Sequence, residues 1–139
     1  MDVIELIKKH EGLRLKPYRC TAGKLTIGYG RNLDDNGISK EEADFLLRHD
    51  IQDAIEDLHK VFTSKELESF FDSQVAALID MIFNLGLTRF QKFERLINAM
   101  KRGDWNEASK QALLSTWANQ VGARAIEDAT LLQAGKEEI

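Results

Sequence analysis

The chain has 139 residues and a mass of 15.8 kDa, with 43% hydrophobic and 30% charged residues. This length supports one domain with a buried core and is too short for two independent domains. A single proline and ordinary aliphatic content exclude a disordered or low-complexity chain. No apolar run approaches the ~20 residues of a membrane-spanning helix. One cysteine excludes a disulfide-stapled secreted scaffold.

Charge is unevenly spread along the chain, although the net charge is only −4. Residues 1–31 are rich in basic side chains, and residues 32–72 are rich in acidic ones. The basic segment lacks the basic helix face or aromatic platform of a nucleic-acid-binding protein, so we expect no nucleic-acid partner. The first residues carry charges where a secretory signal needs an apolar stretch, so we expect nothing there that directs export.

The first part of the chain predicts a short helix followed by a β-hairpin. Apolar spacing indicates the helix at about 3–10, and Gly12 ends it. Residues 13–20 alternate in part and contain the only proline, which favours an extended strand. A tight turn at residues 21–24 leads into the β-prone residues 25–30, so a hairpin is the simplest interpretation.

A long helix is predicted next, because Ser39 and Glu42 have the spacing of a capping box. This helix, at about 39–60, has the strongest apolar periodicity of the sequence. Its stripe consists of Ala43, Leu46, Leu47, Ile51, Ala54, Ile55 and Leu58. At ~20 residues it would be ~30 Å long, enough to link two ends of a small protein.

The remaining sequence also predicts helices. One apolar stripe, from Val75 to Phe83, is closed by Gly86, and another, from Phe90 to Met100, is closed by Gly103. Two further helix signals follow: a start resembling a capping box at 104–107, and a last helix at 123–133 with Gly135 after it.

This order of elements predicts an α+β fold in a single domain, residues 1–139. We expect a small lobe with the hairpin at about 13–38 and a bridging helix at about 39–60. An all-helical lobe would comprise residues 61–139 together with the N-terminal helix 2–11. A cleft where such lobes meet is a favoured place for a ligand.

Three residues near the start are candidates for chemistry. Glu11 lies where the first helix gives way to a glycine, and partial burial there would favour the protonated form that a general acid needs. Cys20 and Thr26 lie on opposite hairpin strands and can both face Glu11. Taken singly, each residue favours a structural role: an acid in solvent, a small buried thiol and a strand former.

Other kinds of site find little support in the sequence. The three histidines lie on different segments without metal-ligand spacing. The glycines at 28 and 30 lack the third glycine and the following helix of a phosphate-binding loop, and no serine has the context of a nucleophile elbow. The sequence therefore suggests no metal and no cofactor.

Segments spread over nearly the whole chain resemble, in the same order, those of the bacteriophage-type lysozymes, the muramidase endolysins. The first segment is similar to the one with the family's catalytic glutamate, and the second begins with the catalytic threonine. The third resembles the helix end under the cleft, and the last two, followed by Arg124, resemble the C-terminal lobe. The five segments are residues 11–18, 26–30, 82–86, 103–108 and 117–120.

The resemblance implies a lysozyme-like fold that cleaves the β-1,4 bond between N-acetylmuramic acid and N-acetylglucosamine in peptidoglycan. It assigns the catalytic positions to Glu11, Cys20 and Thr26, where the middle member is more often aspartate but is cysteine in some members. It also implies three substrate contacts and one residue that supports Glu11. These are Gly30, Arg31 and Phe83 for the substrate, and Arg124 for the support.

Two departures from the family pattern matter. Arg31 stands where familiar members carry histidine, so any ion pair made there must differ. The chain between Arg31 and Ser39 is short, so the small lobe should be minimal and its side of the substrate groove more open.

Several alternatives stay open at this point. Cys20 either attacks the sugar directly or positions a water together with Thr26. The competing functions are a non-catalytic peptidoglycan-binding module with the same fold, and a chitin- or chitosan-cleaving glycosidase. The resemblance further implies a monomer without membrane insertion. Such an enzyme accumulates in the host cytoplasm and reaches the cell wall through a separate membrane-disrupting protein.

Overall fold

A computed structural model describes residues 2–134, and the chain divides into two compact units, residues 1–46 and 47–139. The division falls inside one long helix, which is continuous through it. The contacts group the N-terminal helix with residues 1–46, whereas the sequence interpretation joined it to the helical lobe. The arrangement as a single domain stays a prediction.

The first unit begins with helix α1, Val3–Glu11, as the apolar spacing predicts. The Asp2 side chain caps its N-terminus by accepting a hydrogen bond of 2.9 Å from the Glu5 N–H. Gly12 ends the helix with a φ of +68°, a conformation that favours glycine. Glu11 is therefore the last helical residue, immediately before the chain turns into the sheet.

A three-stranded antiparallel sheet follows, with the strand order β1-β2-β3. It consists of β1 (Arg14–Arg19), β2 (Leu25–Gly28) and β3 (Arg31–Asn32). The predicted hairpin between β1 and β2 is confirmed, whereas the short β3 was not predicted. In the β1–β2 turn the Gly23 N–H donates to the Cys20 carbonyl over 2.8 Å, and Gly23 has a φ of +77°. This is the geometry of a three-residue hairpin loop with a left-handed glycine.

A one-turn helix α2, Leu33–Asn36, leads to the long helix α3, Lys40–Val61. The predicted capping box is confirmed, because both of its hydrogen bonds are present. The Glu42 N–H donates to the Ser39 hydroxyl over 3.1 Å, and the Ser39 N–H donates to Glu42 Oε1 over 2.9 Å.

The second unit consists of the remainder of α3 and seven shorter helices in the part of the chain that is described. The two stripes that end at Gly86 and Gly103 and the last helix are found where they were predicted, but Gly135 lies outside the described residues. The stripe before Gly103 is divided between two helices. The helices are α4 (Ser64–Glu68), α5 (Asp72–Leu85), α6 (Leu87–Phe90), α7 (Glu94–Lys101), α8 (Trp105–Leu113), α9 (Thr116–Val121) and α10 (Ala123–Ala134).

The hydrophobic core lies in the second unit, where α10 packs against α5, α8 and α9. Small residues of α5, α8 and α10 are fully buried at these contacts and let the helices approach closely: Ala77, Ala108, Ala112 and Ala125. In residues 2–46, by contrast, Thr26 is the only buried residue. Between residues 2 and 134, no helix has both the length and the apolar character to span a membrane.

Candidate active site

Cys20 and Thr26 lie on one face of the hairpin. Tyr18 of β1 pairs with Thr26 of β2, and Cys20 lies two residues beyond Tyr18, so the alternation of an extended strand places all three on the same side. Thr26 is 3% exposed, and its hydroxyl donates to the Lys24 carbonyl over 2.8 Å. The structure thus brings these two predicted site residues together.

The environment of the Cys20 sulfur lowers the pKa of its thiol. The backbone N–H groups of Lys24 and Ala22 lower the pKa of the Cys20 thiol, the partial burial of the side chain opposes this, and the Thr26 hydroxyl lowers it further. The backbone of the turn is therefore the main cause of the lowered pKa. A thiol that ionises more readily can attack a sugar or orient a water.

Two acidic residues of α2 bind the residues on either side of this turn. Asp34 accepts a hydrogen bond of 2.7 Å from the Leu25 N–H and forms an ion pair of 3.2 Å with Arg19. Asp35 forms an ion pair of 3.0 Å with Lys24. The sequence interpretation missed these residues, because neither β3 nor α2 was predicted.

Glu11 contacts the glycine that follows β2. A Cβ atom placed on Gly30 would lie only 2.8 Å from Glu11 Oε2 and 3.0 Å from its Cδ, and Gly30 has a φ of +84°. A glycine is needed here both for the backbone conformation and for the space. The expected partial burial of Glu11 is wrong in this structure. The residue is exposed, because it ends a helix without buried side chains.

Arg31 forms an ion pair with Glu42 near the start of α3. Its guanidinium binds Glu42 in two parallel hydrogen bonds of 2.8 Å and 2.6 Å, and it also donates to the Gly37 carbonyl over 3.1 Å. This bidentate hydrogen bonding by Arg31 lowers the pKa of Glu42 to about 2, with a smaller contribution from the Ser39 backbone N–H. The pair ties the sheet to the start of α3.

Phe83 belongs to the second unit, where it is 43% exposed on α5. The next residue, Asn84, accepts a hydrogen bond of 2.7 Å from the indole N–H of the buried Trp117. Two of the segments that resemble the lysozyme family are therefore joined directly, around residues 82–86 and 117–120. The role of Phe83 as a substrate contact stays a prediction.

Arg124 is also part of the second unit and is bound there by Asp80. Its Nε donates over 3.0 Å and one terminal nitrogen over 2.7 Å to the two carboxylate oxygens. The hydrogen bonds from Arg124 lower the pKa of Asp80. The sequence interpretation missed Asp80, although a lone acid inside the apolar stripe of α5 suggested a specific partner. The predicted support of Glu11 by Arg124 stays a prediction.

One group of metal-ligating side chains occurs among residues 2–134. Ligand atoms of His49, Asp50 and Asp53 on α3 lie within 4.8 Å of one another, and all three residues are exposed. Such groups are common on helix surfaces without an ion.

Known proteins resemble this chain over most of its length. The phage lysozyme family model matches residues 8–136. An endolysin of Acyrthosiphon pisum secondary endosymbiont phage 1 is 34% identical over 123 residues, covering 86% of this chain and 80% of that protein. The chain belongs to the phage lysozyme family. Its fold, a small antiparallel sheet with many helices, is the α+β fold of that family, and its activity is that of a lysozyme, a glycoside hydrolase.

Longer phage proteins also contain a part similar to this lysozyme chain. The endolysin of Bacillus phage B103 is 34% identical over 116 residues, which cover 79% of this chain and 42% of that protein. The pre-baseplate central spike protein Gp5 of Enterobacteria phage T4 is 29% identical over 164 residues, which cover 99% of this chain. The chain spans only 28% of that spike protein.

Proposed function

We propose that this lysozyme cleaves the β-1,4 bond between N-acetylmuramic acid and N-acetylglucosamine in bacterial peptidoglycan and lyses the host cell as an endolysin. The observation that carries the proposal is the hairpin face on which the Cys20 thiol, with its lowered pKa, lies beside the Thr26 hydroxyl. Glycoside hydrolysis needs an acid for the leaving oxygen and a second group that attacks or activates water. Cys20 and Thr26 suit the second role.

Glu11 is the proposed general acid, which gives its proton to the oxygen of the leaving sugar. One feature supports this role: the carboxyl group lies against the Gly30 backbone, directly after the strand that carries Thr26. The glycine fixes where the acid lies relative to the sheet.

The attack on C1 of the sugar has two possible routes. In the first, the Cys20 thiolate attacks C1, the C1–oxygen bond breaks, and water later hydrolyses the C1–sulfur bond with Glu11 taking its proton. In the second, a water held by Cys20 and Thr26 attacks C1 from the face opposite the leaving group and gives its proton to the Cys20 thiolate as the C1–oxygen bond breaks, so that no bond to the protein forms. The first route retains the configuration at C1 and the second inverts it.

Mass spectrometry distinguishes these routes. A glycoside whose leaving group needs no proton bypasses the acid, so Glu11→Gln should accumulate a glycosyl adduct on Cys20 if sulfur attacks. The intact mass and the modified peptide would be measured, with Cys20→Ser as the control. Absence of an adduct together with an inverted product would establish the water route.

The decisive test of the function is the Glu11→Gln variant on purified peptidoglycan and on permeabilised Gram-negative cells. We expect wild-type protein to release fragments that end in N-acetylmuramic acid, and Glu11→Gln to lose at least about a hundredfold in rate, the scale of lost general acid catalysis. Glu5→Gln, an exposed acid on the same helix, is the matched control and should keep full activity. Undiminished lysis by Glu11→Gln would remove that residue from its role.

The competing functions predict other results in the same assays. A wall-binding module would sediment with peptidoglycan without clearing the cells, and a chitinase would release fragments from chitin oligosaccharides. Membership of a hydrolase family does not favour the binding module.

The remaining assignments belong to the same proposal. Gly30, Arg31 and Phe83 would contact the glycan, and Arg124 would support Glu11. Phe83→Ala should weaken substrate binding and raise KM more than it lowers kcat, because an exposed aromatic ring is available for stacking on a sugar.

We also propose that the enzyme is a monomer made in the host cytoplasm and released to the wall by a separate membrane-disrupting protein. The family resemblance supports this. Expression with and without such a protein should lyse cells only in the first case, and gel filtration should give the mass of one chain.

A further inference from the structure

Asp128 is a buried acid that the proposed glycan chemistry does not use. It lies on α10, is only 3% exposed, and contacts the carboxylate of Asp80 on α5. Its Oδ2 atom is buried without a hydrogen-bond partner among the described residues. An ionised carboxylate in such a place would lack hydrogen bonds that it needs.

Asp80 cannot donate a proton to Asp128, because its own carboxylate is hydrogen-bonded to Arg124. Asp80 accepts two hydrogen bonds from the Arg124 guanidinium, which holds it in the charged form. Two carboxylates in contact, one of them buried, do not both ionise readily. A proton on Asp128 removes the repulsion and supplies a donor that the Asp80 carboxylate can accept from.

The other charges near Asp128 leave this balance unchanged. Besides Asp80, the charged groups that act on Asp128 are Arg124 and Glu127, both on its own helix. Helix α9 contains no ionisable residue, and α8 contributes only Glu107, which accepts from Gln111, and the exposed Lys110. Arg124 alone favours ionisation of Asp128, and it is already paired with Asp80.

We propose that Asp128 is protonated in the folded protein at neutral pH and donates a hydrogen bond to Asp80, which makes the packing of α10 on α5 sensitive to rising pH. Desolvation by burial and the adjacent Asp80 carboxylate raise the pKa of Asp128 to about 8. The inference concerns the stability of the second unit and does not depend on hydrolytic activity.

The direction of the effect follows from proton linkage. An unfolded chain releases the Asp128 proton near its ordinary pKa of about 3.9, whereas the folded chain keeps it until about pH 8. The stability that this proton contributes is therefore full below about pH 4 and is lost as the pH rises through the folded pKa. Between these values the unfolding equilibrium constant should rise about tenfold for each pH unit.

Denaturant unfolding of wild type and Asp128→Asn between pH 4.5 and 8.5 tests the proposal. Trp105 and Trp117 both lie in the second unit and report its unfolding. We expect the ratio of the two unfolding constants to change about tenfold per pH unit up to about pH 8, because asparagine donates to Asp80 at every pH. Asp50→Asn, which changes an exposed acid on α3, is the charge-matched control and should follow wild type. Parallel curves for wild type and Asp128→Asn would overturn the proposal.

A second measurement needs no variant to fold. In carbon-13 NMR of the wild-type protein, with aspartate carboxyl carbons assigned through the backbone, the Asp128 signal should keep its protonated position at pH 6.5. Titration of that signal below pH 5, where ordinary aspartates titrate, would refute the assignment.

Discussion

The position of the Glu11 carboxyl group depends on Gly30, a residue without a side chain. Any Cβ at Gly30 would overlap the Glu11 carboxyl group and would also strain the backbone, because the φ of Gly30 is +84°. Because Gly30 is fixed between two strands, an added Cβ atom there would displace the Glu11 carboxyl group.

We therefore expect Gly30→Ala to lower lytic activity at least about tenfold, the scale of a reacting group displaced by about 1 Å or more. Gly37→Ala is the matched control, because Gly37 also has a positive φ, of +56°, but nothing lies within 4 Å of its Cβ position. Initial lysis rates and thermal melting of both variants would be compared. Equal loss of activity in the two variants would attribute the effect to the backbone alone.

Cys20 offers a second prediction at this scale. Cys20→Asp should keep activity, because a carboxylate can serve either route, and Cys20→Ala should lose most of it. Alkylation of Cys20 by iodoacetamide, followed across pH, measures the ionised fraction directly. Thr26→Val should move that profile to higher pH, because the hydroxyl helps to lower the pKa of the thiol. Full activity of Cys20→Ala would make the thiol a packing residue.

At the level of single residues, the sequence indicated which side chains are candidates for the chemistry better than it indicated what surrounds those side chains. Cys20 and Thr26 could be placed together from the hairpin pattern, because strand alternation is a local property. The exposure of Glu11, the Arg31–Glu42 pair and the partners of Arg124 could not be predicted, because they depend on contacts between segments 11 or more residues apart.

Helix ends were the elements most accessible to sequence reasoning. Ser39 and Glu42 start α3, and glycines follow α1 and α5, because these signals act within one turn of the chain. The burial of α3 was less predictable. Only Ala54 and Leu58 of its long stripe are buried, since periodicity shows which residues share a face but not what covers that face.

The elements that were missed are short. Strand β3 has two residues and helix α2 has four, too few to show a period. The stripe from Phe90 to Met100 looks continuous in sequence, yet the chain leaves the helix between α6 and α7. At this break, Phe90 and Phe93 stack with ring centroids 6.3 Å apart.

The capping box of α3 can be tested on its own. Ser39→Ala removes the hydroxyl that accepts from the Glu42 N–H and should cost about 1 kcal/mol of unfolding free energy. Ser64→Ala, at the first residue of α4 and without a capping bond, should change stability by less than about 0.5 kcal/mol. Urea unfolding at neutral pH measures both values. A neutral effect of Ser39→Ala would show that Asn36–Lys40 is held by other contacts.

For the whole molecule, the open question is whether the two units unfold together. Both tyrosines lie in residues 1–46 and both tryptophans in residues 47–139, so two fluorescence probes report on the units separately. We expect coincident transitions, because α3 is continuous through the division and residues 2–46 contain a single buried residue. Separate midpoints would instead show that the units are independent domains.

The ion pairs between α2 and the hairpin turn have a consequence for the conditions under which the enzyme works. Arg19, Asp34, Lys24 and Asp35 form two ion pairs that are open to solvent, and dissolved salt screens such pairs. Each pair is worth at most about 1 kcal/mol, so a saline medium would loosen the loop around the sulfur without unfolding the protein. Bacteriolysis would then decline with ionic strength even though the sugars themselves carry no charge at the broken bond.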